Sequence, residues 1–345
     1  MKTPYIYKGC IHIHSTFSDG TRPPDEIAEI ADSVSLDYII ITDHMSPEAQ
    51  SYEGYYGKTL LLAGYEHHDS EQKNHCLGLG TVEINTSLTD PADYVSHIQQ
   101  KGGLAFAAHP CEKRNRIPEL PPYSWNRWDI SELDGLEIWN QFSDWVESLT
   151  KINRPMRIFF PRRFQNPPPP ELLQKWDTMN LKKKTPGIGG VDAHAIEYKI
   201  LGIVPLKVFP YKVELQSIRT HVILPEKLTG DLRHDRALIY KAIASGNSFV
   251  CNYRAGSPEP FDFHLENKHK ERFHCGEETR FENDTFFRIS LPAKADIRLL
   301  KDGKEIYETY SNNITKICRS PGNYRAEIFR KKKPWIYTNN IYVTG

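Results

Sequence analysis

Short apolar runs that each stop at a metal-ligand side chain constrain this chain more than any other feature. "IYKGCIHIH" ends in His12 and His14, "LDYIIITDH" in Asp43 and His44, and "LLLAGYE" in Glu66. His75 opens "HCLGLG", His109 ends "LAFAAH", and Asp192 and His194 close "IGGVDAH". Apolar runs this short read as strands. Alternation along a strand then puts His12 and His14, two residues apart, on one face, and Asp192 and His194 likewise. Solvent-facing strand histidines would explain one such pair. They do not explain ligand residue types recurring at the ends of successive strands.

Between these runs lie helical patterns. "TRPPDEIAEIADSV" carries prolines at its start and Ile27, Ile30, Ala31 and Val34 on one face; "DPADYVSHIQQKGG" stops at Gly102 and Gly103. "QFSDWVESLTKI" and "DRALIYKAIASG" read the same way. Strand–helix alternation implies a parallel sheet, closed or wound with helices outside, and strand ends in such folds converge on one mouth. Residues 164–184, with Pro167 to Pro170 before "ELLQKWDTMN", break the pattern and are expected to run over the surface. After "CNYRAGSPEP" the period changes to two, and Asp302-Gly303 marks a hairpin turn. The expectation is a metal-site domain over 1–255 and a small β-sandwich over 256–345.

Composition narrows the partners. The 345 residues hold 44 basic and 44 acidic side chains, so the basic excess of a long nucleic-acid binder is missing and a small-molecule substrate is expected. The six cysteines form no C-x-x-C pair, which suits reduced thiols in the cytoplasm. No run reaches membrane-spanning length, and "GLGTVEIN" lacks the spacing of a phosphate-binding glycine loop. Mixed imidazole and carboxylate donors suit zinc, manganese or iron(II). A carboxylate bridging two such ions supports hydrolysis by a shared, acidified water, with no serine or cysteine nucleophile.

Taken in order, "HIHSTFSDG", "ITDH", "GYE" with "HCLGLG", "AAHP" and "GGVDAH" resemble the metal motifs of the PHP (polymerase and histidinol phosphatase) domains over roughly residues 8–250. "GNYRAEIFRKKKPWIYTNNIYV" resembles the terminal sandwich of the carbaryl-hydrolase-like (CehA/McbA) branch. The resemblance implies an α/β fold, a distorted (β/α)7 barrel followed by the β-sandwich, holding two or three divalent metal ions. It implies a first ion on His12, His14, Glu66 and Asp192. A second would lie on Glu66, His75 and His109, and a third on Asp19, His44 and His194. Some members have histidine where this chain has Asp19. Asp43 is expected to orient a neighbour rather than bind metal.

The function this implies is metal-dependent hydrolysis of a small phosphate monoester or diester, with Glu66 as the bridging ligand. His67, and His68 beside it, are candidates to line the pocket and protonate a leaving group. Arg114 and Arg116, with Lys113, are candidates to grip a phosphate or carboxylate. Hydrolysis of a carboxyl ester or carbamate by the same site is the second reading. A metal-binding interaction protein without catalysis is the third.

Overall fold

The computed structural model describes residues 4–114, 121–150, 152–160, 165–195, 197–200 and 204–345. Strand β1 (Tyr5–Ile13) leads to helix α1 (Pro24–Ser33), where Pro24 and the acidic Asp25 and Glu26 suit the first turn and Ile27, Ala28 and Ala31 are buried. Strand β2 (Tyr38–Ile41) is buried along its whole length, because it runs between two parallel neighbours and both its faces are covered. Strands β3 (Gly54–Tyr56) and β4 (Thr59–Ala63) form a hairpin, and β5 (Tyr65–His67) follows after Gly64. Next come β6 (Cys76–Leu79), helix α2 (Pro91–Gln100), capped by the Asp90 carboxylate, and β7 (Leu104–Ala107).

Strand β8 (Gly135–Asn140) passes directly into helix α3 (Gln141–Glu147), whose Ser143 amide donates to the Asn140 side chain. Helices α4 (Arg154–Phe159) and α5 (Pro170–Asn180) precede β9 (Gly187–Ala193). Among the described residues, strands β10 (Glu197–Ile200) and β11 (Val204–Lys207) pair only with each other. Helix α6 (Tyr211–Glu214), β12 (Ile218–Leu224), helix α7 (Leu232–Ser245) and β13 (Ser248–Asn252) complete this part. Helix α7 ends at Gly246, whose φ of 70° is a left-handed cap that glycine adopts freely.

The fold is mixed α/β around one large sheet. Strand β1 pairs in parallel with β2 on one side; on the other it meets β12 antiparallel and then β9 in parallel from Ile11. Strand β2 pairs in parallel with β4, and β7, β8 and β9 are also parallel neighbours. Beyond β4, the Glu66 amide donates to the Asp43 carbonyl and the Met45 amide to the Glu66 carbonyl, so β5 stays alongside the chain leaving β2. The wholly parallel expectation fails at β6, which is antiparallel to both β5 and β7. Only residues 68–75 join β5 to β6, too short a link for the crossover that a parallel neighbour requires.

The C-terminal strands are β14 (Asp262–Glu266), β15 (Arg272–His274), β16 (Glu278–Arg280), β17 (Phe286–Lys301), β18 (Lys304–Ile317), β19 (Gly322–Arg330), β20 (Lys333–Thr338) and β21 (Ile341–Thr344). "TFFRISLP" and "ADIRLLK" join into the single strand β17, with the pairing register broken between Ser290 and Ala295. Strand β20 pairs with β13, so hydrogen bonding is continuous across residue 255. Phe249 and Cys251 of β13 share a core with Phe263, Phe287, Ile297, Ile328 and Trp335. The buried Arg325 of β19 makes a two-pronged contact with Asp177 of α5, at 2.7 Å on each prong.

Candidate metal centre

Glu66, fully buried, stands at the middle of the ligand residues, and its two carboxylate oxygens face different partners. Oε1 lies 2.7 Å from His75 Nδ1 and 3.2 Å from His109 Nε2. Oε2 lies 3.0 Å from His12 Nε2, 3.3 Å from His14 Nε2 and 3.3 Å from His44 Nδ1. Asp192 Oδ1 closes the other side, 3.4 Å from His12 Nε2 and 3.3 Å from His14 Nε2. Asp19, more exposed, lies 3.3 Å from His194 Nε2, 3.7 Å from His14 Nδ1 and 3.8 Å from His44 Nε2. Two donors bound to one tetrahedral ion at ordinary bond lengths stand about 3.3 Å apart. The 3.3–3.4 Å spacings of His14 and His44 from Glu66 and of His12 and His14 from Asp192 match that figure, while His12, His75 and His109 stand at hydrogen-bond distance from Glu66.

All nine residues expected as ligands are therefore brought together, although the grouping differs in detail from the expected partition. Four sets of donors could each hold an ion: His14, Asp19, His44 and His194; His12, His14 and Asp192; His12, Glu66 and His109; and His44, Glu66 and His75. His12, His14, His44 and Glu66 are each shared between two sets. The donors fit divalent cations on a further observation. His14 Nε2 and His44 Nδ1, each 3.3 Å from Glu66 Oε2, are buried with no hydrogen-bond partner.

Electrostatics agree with that fit. Burial opposes charge on Glu66 and Asp192, but the surrounding imidazoles, His12 foremost, hold both carboxyls well below the usual range. Burial holds His44 down at about 3 and lowers His75, so both offer neutral lone pairs. Burial also disfavours charge on His14, yet Asp192 and Glu66 raise it to about 10, and His12 is likewise raised. The two carboxylates thus draw positive charge to this spot, and metal ions compete with protons for the same nitrogens.

The backbone reaches this arrangement by a different route from simple strand alternation. His12 has φ of 66°, and the pairing register shifts between Ile11 and Ile13 on both flanks of β1. Asp192 and His109 also have positive φ, 52° and 27°. Left-handed backbone at non-glycine residues is costly and concentrates where side chains must be aimed. Gly190 shows how close the packing is: a Cβ there would lie 1.7 Å from Glu137 Oε1.

Around the centre sit carboxylates that fix the ligands. Glu137 Oε1 is 2.9 Å from His12 Nδ1, while Oε2 accepts from the His109 amide at 2.7 Å and from Asn140 Nδ2 at 2.9 Å. That contact turns His12 Nε2 toward Glu66 and Asp192. Asp43 accepts from the Ser15 amide and both the Ser15 and Ser18 hydroxyls, each at 2.6 Å, and so fastens the loop that carries Asp19. Glu112 Oε2 lies 3.7 Å from His109 Nδ1. The sequence marks neither Glu137 nor Glu112 as part of the site; the one cue is the acidic Glu137 inside the apolar run "GLEIW".

No family model and no curated protein matches the chain. Among solved structures it is similar to a two-domain protein containing a predicted PHP-like metal-dependent phosphoesterase from Bacteroides vulgatus. That likeness has 15% identity and a TM-score of 0.46, over 98% of this chain and 95% of the other. It is also similar, at 16% identity and TM-score 0.35, to a candidate metal-dependent phosphoesterase from Bifidobacterium adolescentis, over 54% of this chain and 87% of that one. An amidohydrolase from Chromobacterium violaceum, with bound sulfate and no metal, has 14% identity and TM-score 0.29 over the same shares, 54% and 87%. Likeness this distant leaves the functional argument to the residues themselves.

The centre opens into a cavity of about 580 Å3 whose other walls include Ser18, Met45, His68, Gln72, Tyr123 and Phe142. Arg114 lines it too, buried, with its guanidinium on Glu112 and 5.0 Å from the Tyr123 ring. Arg116 lies outside the described residues. His67 is a correction: it leaves the far face of β5, stacked on Tyr94, with Nε2 3.1 Å from the Asn85 carbonyl. Alternation turns it away because Glu66 beside it points inward, and His68 takes the place at the wall. Lys113 is exposed and paired with Glu171. Pro167, Pro169 and Pro170 wall a second cavity of about 260 Å3, which shares His109 with the first. Among the described residues no helix is long and apolar enough to cross a membrane.

Proposed function

We propose that this chain is a metal-dependent hydrolase of the PHP type that cleaves a small phosphate monoester or diester. The observation that carries the reading is Glu66, whose two oxygens face separate groups of imidazoles as a bridging carboxylate does. Divalent ions held there, two or three in number and of the zinc, manganese or iron(II) class, would supply an acidified water and charge for the phosphoryl oxygens.

The chain's own residues supply the rest. Glu137 holds His12 in the tautomer that leaves Nε2 free, and Asp43 holds the Asp19 loop closed over the centre. Arg114, held by Glu112, presents cationic N–H groups to the substrate cavity, and Tyr123 and Phe142 give it apolar walls. His68 is the imidazole placed to give a proton to a departing oxygen. The pairing of β1, β2, β4 with β5, and β6 to β9, returning to β1, supports reading residues 1–255 as a distorted seven-stranded barrel, with 256–345 as an appended β-sandwich.

The test is hydrolysis of aryl phosphate monoester, aryl phosphodiester and aryl carboxyl ester by the manganese-loaded chain, with a chelated control and the Glu66→Ala variant. Chelator-sensitive turnover of either phosphate, abolished in Glu66→Ala, is expected. Turnover of the carboxyl ester alone would replace this reading with a carboxyl-ester or carbamate hydrolase. Inactivity on all three with metal bound would favour a metal-binding interaction protein.

A further inference from the structure

We infer that Asp262, His264 and His274 form a separate site for one transition-metal ion of the zinc type, on the β14–β15 hairpin. The site shares no residue with the centre around Glu66. Asp262 and His264 are two apart in β14 and leave the same face, and His274 of β15 is the direct cross-strand partner of His264. His264 Nδ1 lies 2.9 Å from Asp262 Oδ2, and His274 Nε2 lies 3.5 Å from Asp262 Oδ1. Donors on one tetrahedral zinc ion are separated by about 3.3 Å, so the second spacing fits directly and the first requires only a small movement.

A second observation points to a ligand. His264 is 3% exposed; its Nδ1 meets the Asp262 carboxylate at 2.9 Å without hydrogen-bond geometry, and its Nε2 is buried with no partner among the described residues. An unsatisfied buried imidazole is costly, and a coordinated ion would satisfy it. The cations on this face are engaged elsewhere: Arg288 and Lys270 lie 2.8 Å and 3.2 Å from Glu266, and Arg272 leans the same way at 3.8 Å. Among the described residues Asp262 is paired with imidazoles alone. Glu277 Oε2, 3.7 Å from His274 Nδ1, sits behind that ring and leaves Nε2 turned toward Asp262. Asp262 and His274 border a cavity of about 280 Å3, which gives an ion a route in and room for a water as fourth ligand. Two imidazoles and one carboxylate favour zinc over calcium or magnesium.

The experiment strips the full-length chain of metal, dialyses it against Zn2+, and counts bound zinc in the wild type and in the His264→Gln/His274→Gln variant. The variant is expected to bind one zinc ion fewer per chain while keeping whatever hydrolytic activity the wild type has. Equal zinc content in the two proteins would overturn the inference. Should the double variant fold poorly, Asp262→Asn keeps the side-chain size. It is expected to weaken Zn2+ binding at this site about tenfold or more, and unchanged binding would overturn the inference equally well. Ion count and affinity are read without any substrate, so failure here is distinct from failure of the proposed hydrolysis.

Discussion

Glu137→Gln is the perturbation whose outcome follows most directly from the geometry. Glu137 makes no contact with Glu66 or Asp192, but it accepts three hydrogen bonds, from His12 Nδ1, the His109 amide and Asn140 Nδ2. Glutamine keeps the shape and replaces one acceptor oxygen with a donor. The lower-energy orientation leaves the oxygen toward His109 and Asn140, which together donate twice, and turns the NH2 toward His12. His12 must then accept at Nδ1 and carry its proton on Nε2, the nitrogen that faces Glu66 and Asp192. The alternative orientation leaves the buried His109 amide without its acceptor, at about 1–3 kcal/mol. Loss of such an orienting carboxylate costs about 10–100-fold in metal affinity or activity, or about 1.4–2.7 kcal/mol. The assay is competition for Mn2+ against a chromophoric chelator, with turnover followed in parallel. Metal affinity and turnover both equal to wild type would refute the reasoning that Glu137 sets the His12 tautomer.

Other perturbations test separate parts of the structure. Asp19→Ala is expected to release the ion held with His44 and His194 while the ions nearest Glu66 stay; loss of all metal, measured by plasma mass spectrometry, would contradict that division. Asp177→Ala leaves the buried Arg325 with Glu327 as its one acidic partner among the described residues, and breaking a buried pair in this way is expected to cost about 3 kcal/mol in urea denaturation. His221 is fully buried, and burial holds its imidazole well below the ordinary value. Below about pH 6.5 the unfolded chain takes up a proton there that the folded chain refuses, so stability falls with acid at up to about 1.4 kcal/mol per pH unit. His221→Phe should flatten the denaturation midpoint between pH 6.5 and 5 relative to wild type; an unchanged slope would assign the acid sensitivity elsewhere.

The residue types of the centre were legible because metal coordination demands few side chains and strand ends bring them together. The way the backbone aims them was not. His12 and His14 look like a simple alternating pair, but His12 is left-handed and the register shifts around it. His67 and His68 both read as candidates to line the pocket, and alternation along β5 puts His67 on the far face. Glu137 was hidden because an acidic residue in an apolar strand becomes meaningful only when two histidines from other strands are seen against it. Strand direction also depends on link length: residues 68–75 are too few to let β6 run parallel to β5. Strand β20, "KPWIYT", was masked by its lysine and proline, although its buried residues pair with β13 and β19.

Anomalous diffraction from crystals of the manganese-loaded protein tests the central claim most directly. The account expects two manganese peaks about 3.5–4 Å apart with the Glu66 carboxylate between them, one near His12, His14 and Asp192 and the other near His75 and His109, beside the separate ion assigned to Asp19, His44 and His194. A single peak, or peaks out of reach of Glu66, would contradict it.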